Sequence, residues 1–77
     1  MEEVRLKRLL SLQKMEATEA EVYRRLAKLQ NDPVNKSILE GIALEEERHE
    51  LVISKITEQK VSPDWFQAVS YTHLRAH

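Results

Sequence analysis

Leu29-Gln30-Asn31-Asp32-Pro33-Val34 decides how this chain folds. Asp32 is a good helix N-cap and Pro33 suits a first helical position, so one helix stops here and another starts. A connection this short forces the two helices to lie antiparallel. Upstream, Leu6, Leu9, Gln13, Glu16, Ala20, Tyr23, Ala27 and Gln30 recur at alternating steps of three and four, with Leu10 and Ala17 alongside. That spacing predicts a helix from about Glu3 to Gln30 with one core-facing stripe. Downstream, Val34, Ile38, Ile42, Glu45 or Glu46, His49, Ile53 and Ile56 mark the expected buried face of a second helix reaching about Gln59.

Two places on these stripes carry charge where an apolar residue is expected: Glu16, and Glu46 with His49. Glu16 stands about 15 residues before the turn and Glu46 about 14 after it, so both lie roughly 22 Å from the turn, facing each other. His49 comes one helical step later. Two buried carboxylates without a counter-charge cost several kcal/mol, because they repel and lose hydration. A divalent cation reverses that sign, and carboxylate oxygen with neutral imidazole suits iron or manganese and, less specifically, zinc. A di-iron site of the ferritin-like kind takes one Glu from each of two helices and a Glu-x-x-His from each of two others. This chain provides one of each, and two copies on a two-fold axis would complete the set as a homodimeric four-helix bundle.

Composition points the same way. A chain of 77 residues is one small domain or less, and with no cysteine it has no disulfide, thiolate zinc site or iron–sulfur cluster to stabilise it. Another chain, or a metal held by oxygen and nitrogen, must supply that stability. One Gly and two Pro among many Leu, Glu, Lys, Arg and Ala predict an all-α protein. The 12 basic and 13 acidic residues interleave to a net charge of −1, which disfavours nucleic acid as a partner. No apolar run approaches the roughly 18 residues needed to span a bilayer, so no membrane contact is expected from this chain. Its acidic start, Met-Glu-Glu-Val-Arg, reads as cytoplasmic.

Residues 1–60 thus form the hairpin and 61–77 a C-terminal segment. In the latter, Ser62 is expected to cap and Pro63 to open a short helix carrying Trp65, Phe66, Val69 and Leu74. The aromatic pair would cover the open end of the bundle. From about residue 68 the sequence, ending Val-Ser-Tyr-Thr-His-Leu-Arg-Ala-His77, reads as translated sequencing-adaptor DNA. On that reading the natural chain diverges after about Gln67. His73 and His77, at i,i+4, would bind zinc only as a coincidence of that tail.

From about Leu9 to Thr57 the chain resembles the N-terminal half of a rubrerythrin-type, ferritin-like di-iron domain. The resemblance rests on Glu16 with Tyr23 seven residues on, and on Ile42-Ala43-Leu44-Glu45-Glu46-Glu47-Arg48-His49. It is similar to the ferritin-like domain that precedes vacuolar-iron-transporter-type membrane domains. The resemblance implies that Glu16, Glu46 and His49 are iron ligands, that Tyr23 neighbours the site, and that ferrous iron is oxidised by oxygen or peroxide in a ferroxidase- or peroxidase-type reaction. The family's second helix pair and rubredoxin-like module are absent here, so an external electron donor would be needed for peroxidase turnover.

Plainer readings stand beside these. Glu45, also i,i+4 to His49, competes with Glu46, and the resemblance favours Glu46. Glu19 and Glu50 flank the stripe and are accessory ligands at most, surface ion pairs otherwise. Gly41 is expected to accommodate the Tyr23 ring, and Tyr23 itself fills core. A metal-free hairpin that self-associates through its Leu/Ile stripe, or a truncated piece of a membrane iron transporter, would carry the same pattern.

Overall fold

The computed structural model describes residues 2–76, which form three α-helices and no strand: α1 (Glu3–Lys28), α2 (Pro33–Thr57) and α3 (Trp65–Ala76). The all-α hairpin expected from the turn is present. At α1 the charges complement the helix dipole, with Glu3 in the first turn and Arg25 and Lys28 in the last. Asp32 caps α2 from extended backbone, its Oδ1 accepting from the Val34 amide at 2.9 Å. Glu58 ends α2 in the left-handed region at φ 57°, where its amide donates to the Ser54 carbonyl at 2.8 Å. Losing the cap should be measurable: Asp32→Ala is expected to cost about 1 kcal/mol, lowering Tm by about 4–8 °C in a domain of this size.

The third helix starts later than expected. Asp64, not Ser62, is its capping residue: Asp64 Oδ1 accepts from the Gln67 amide at 3.0 Å, and its carbonyl takes the Ala68 amide at 3.0 Å. The Asp64 amide is in turn held by the buried Thr18 hydroxyl at 2.9 Å, so α1 fixes where α3 begins. Ala68 and Thr72 form the buried face of α3. Trp65 and Phe66 do not seal the bundle end as expected. Phe66 is 83% exposed, and Trp65 lies half-exposed with the Arg25 guanidinium 5.7 Å from its ring centre. Val69 is exposed too, and the Leu74 side chain lies outside the described set.

Among the described residues α1 packs against both other helices and α2 and α3 do not meet, so the order across the molecule is α2, α1, α3. The Cα envelope measures 46 × 22 × 13 Å. α2 and α3 thus sit on separate sides of α1, and no described helix covers the exposed apolar residues of α2.

The α1 stripe is placed as expected, with Gln13, Ala20 and Ala27 buried. The α2 stripe is not. Val34, Ile38 and Ile56 are 65%, 56% and 51% exposed, while Ala43, Ile53 and Thr57 are buried. The packed face of α2 follows Leu39, Ala43, Glu46, Glu50, Ile53 and Thr57, again in steps of four and three. It is rotated roughly 100° from the expected one. The cause is visible in Gln13, fully buried where α2 ends. Its Oε1 accepts from the Thr57 hydroxyl at 2.8 Å, and its Nε2 donates to Glu50 Oε2 at 2.9 Å and to the Gln59 carbonyl at 2.8 Å. A buried amide needs those partners, and they bring the Glu50–Thr57 side of α2 inward. Gly41 likewise departs from expectation: it is exposed, and a Cβ there would meet nothing within 4 Å, so it makes no room for Tyr23. No helix among the described residues is long and apolar enough to cross a membrane.

Candidate metal centre

Glu16 from the middle of α1 and Glu46 and His49 from the middle of α2 converge as the turn arithmetic requires. One ligand atom from each lies within 4.8 Å of the others. His49 Nδ1 stands 3.2 Å from Glu16 Oε2 and 4.0 Å from Glu46 Oε1. Helix geometry explains the grouping: residues three apart on α2 sit on neighbouring turns of one side, and Glu16 faces them across the hairpin. The carboxylates are the sheltered part, their side chains 13% and 17% exposed, whereas His49 is 58% exposed. The cluster therefore has a closed carboxylate floor and an open imidazole side.

Its electrostatics are those of a site short of positive charge. Glu46 Oε2 is sealed from solvent and has no hydrogen-bond partner. Glu46 is pushed above the usual carboxylate range, first by the Glu16 carboxyl beside it, then by lost hydration, against a smaller opposing pull from Glu19 and His49. Glu19 is raised as well, mainly by burial and then by Glu46. So Glu19, one turn after Glu16, rests against the cluster although it is not among the three grouped ligands.

These directions fix a pH dependence. The folded, metal-free chain holds protons on Glu46 and Glu19 more tightly than the unfolded chain does. Their contribution to stability is complete below the ordinary value of 4.5 and is lost as pH rises through the raised values. In chelator, denaturant midpoints should therefore fall as pH rises above the ordinary carboxylate range, and Glu46→Gln should flatten that fall.

The other acidic candidates go elsewhere. Glu50 is engaged by Gln13, and Glu45 pairs with Arg48 at 3.1 Å on the exposed side. Glu47 pairs with Arg24 across the hairpin, so the run's outer residues do face outward. Tyr23 is half-buried and shares a groove between α1 and α3 with Glu19, Thr18 and Gln67. Glu19, which rests against the cluster, lines that same groove. His73 is exposed on α3, and its i,i+4 companion His77 lies outside the described residues. The sequence reading missed the unpaired Glu46 oxygen and the central part played by Gln13. The only advance signal for Gln13 was an amide on an apolar stripe. The chain matches no family model, and neither a curated protein nor a solved structure shows significant similarity to it.

Proposed function

We propose that this chain is half of a carboxylate-bridged dimetal protein of the ferritin-like kind, binding iron in a homodimer and oxidising Fe(II) with oxygen or peroxide. The observation that carries the reading is the Glu16–Glu46–His49 cluster with its buried, unpartnered Glu46 oxygen. A bare pair of sheltered carboxylates is a net cost to the protomer, and a cation is what removes it. The donor set fits: oxygen and nitrogen without thiolate suits iron or manganese before softer metals.

Glu46 would release the proton that its raised value retains, and Glu16 and Glu46 would present carboxylate oxygen to the cation. His49 would present a neutral ring nitrogen from the exposed side. Glu19, packed on Glu46, would hold that carboxylate in place. Iron, when bound, supplies one-electron chemistry towards the oxidant. Two copies bring four of these carboxylates and two imidazoles, the full complement of such a centre. The exposed Val34, Ile38, Val52 and Ile56 favour that assembly, since they leave apolar surface for another molecule to cover.

Reconstitution with ferrous iron tests this. The expected result is about one iron per chain, two per dimer, with oxidation of added Fe(II) faster than in buffer. Binding below about one-third of a metal per chain, for iron, manganese and zinc alike, removes the reading. The exposed Val34, Ile38 and Ile56 favour a second reading, a metal-free self-association module. It predicts that Glu16→Leu leaves every function intact.

A further inference from the structure

The exposed face of α2 has an internal symmetry. Taking Glu45 as centre, Val34 and Ile56 stand 11 residues to either side, Ile38 and Val52 stand seven, and Ile42 and His49 stand three and four. The four outer members are 51–65% exposed, although they are β-branched and apolar. Ile42 is half-buried at the edge of the same stripe. A stripe running over 22 residues is roughly 33 Å long. Exposed apolar surface of that extent on a small chain marks a contact.

Gly41 is a second, independent observation. A glycine inside a helix is unfavourable against alanine, and around this one there is open space, so nothing within the protomer explains it. It stands four residues before Glu45, as His49 stands four after. When a helix pairs with its own copy about a perpendicular two-fold at residue 45, positions summing to 90 meet. Gly41 then receives the partner's His49, and Val34 and Ile38 receive the partner's Ile56 and Val52. The centre is tolerable because each Glu45 carries its own Arg48, 3.1 Å away.

We infer that a second copy of this chain docks antiparallel along the Val34–Ile56 face of α2, on a dyad at Glu45, with Gly41 making room for the partner's His49. The inference names the partner surface of the proposed dimetal centre and rests on that reading for its occupant. Its geometry does not require metal. Glu46 lies one residue from the centre and His49 four, so the two clusters approach each other on the dyad. A parallel pairing would match the same residues with themselves instead. Leu44 and Leu51, also exposed, lie on the other side of α2 and take no part.

The chain has no cysteine, so introduced thiols are unambiguous. A disulfide needs Cα atoms within about 7 Å. The Glu45→Cys variant, oxidised in chelator, is expected to form a covalent dimer with unchanged helicity. The Val34→Cys variant is expected not to, because the two thiols would lie roughly 33 Å apart. Crosslinking of Val34→Cys, or of neither variant, overturns the proposal. Gly41→Leu should weaken association at least tenfold by sedimentation equilibrium, and an unchanged dissociation constant overturns it too. Metal binding with the wrong crosslink sinks this interface alone. The right crosslink without metal binding sinks the dimetal reading and leaves the interface standing.

Discussion

His49→Ala and Glu46→Ala are each expected to lower iron affinity at least about 100-fold, since loss of a ligand exceeds the 10–100-fold cost of disturbing a ligand's support. Metal analysis after desalting, with titration followed by ultraviolet absorbance, reads this directly. Glu47→Ala serves as a control, because that carboxylate is engaged by Arg24 on the outer surface, and it should bind as the parent does. Glu16→Leu separates the two functional readings. In chelator it should raise Tm, since a sheltered carboxyl beside Glu46 is removed. Added metal should then give no further rise, whereas a parent at 100 times its dissociation constant gains about 2.7 kcal/mol. If Glu46→Ala retains the parent's stoichiometry, the cluster is not where metal binds.

Gln13→Ala is expected to be the most destabilising single change in the protein. It opens a cavity between α1 and the end of α2 and leaves the Thr57 hydroxyl, the Gln59 carbonyl and Glu50 without their partner. The cavity costs about 2 kcal/mol or more and the orphaned groups about 1–3 kcal/mol. Against a total near 5 kcal/mol for a small domain, the variant should be largely unfolded at room temperature by circular dichroism. Gln13→Leu restores the volume but not the partners, so it should recover part of that loss and measure the polar share. Were Gln13→Leu as stable as the parent, the amide would be ordinary filler.

The hairpin and the cluster were legible in the sequence for a common reason. The turn at Asp32-Pro33 fixes depth along both helices, and depth alone pairs Glu16 with Glu46. Which side of α2 faces inward was not legible, because α2 carries two stripes. The exposed one holds Val34, Ile38, Val52 and Ile56, and the packed one holds Ala43, Glu50 and Thr57 among its members. Hydrophobicity favours the first. The hydrogen-bond demand of Gln13, which lies on the other helix, selects the second. Glu46 survived the error because it borders both. The start of α3 was misjudged because Pro63 resembles a first helical residue, while only contact with Thr18 reveals that Asp64 takes the cap.

Because α1 is the sole helix touching both neighbours, backbone amide exchange should be ranked by position rather than by helix length. Protons at the centre of α1 are expected to exchange only when the whole molecule opens, since among the described residues α2 and α3 pack on α1 and not on each other. Those of α3 can exchange by its separate detachment, leaving the hairpin closed. Protease cuts should accordingly begin near residues 59–63, and the trimmed hairpin should keep its fold.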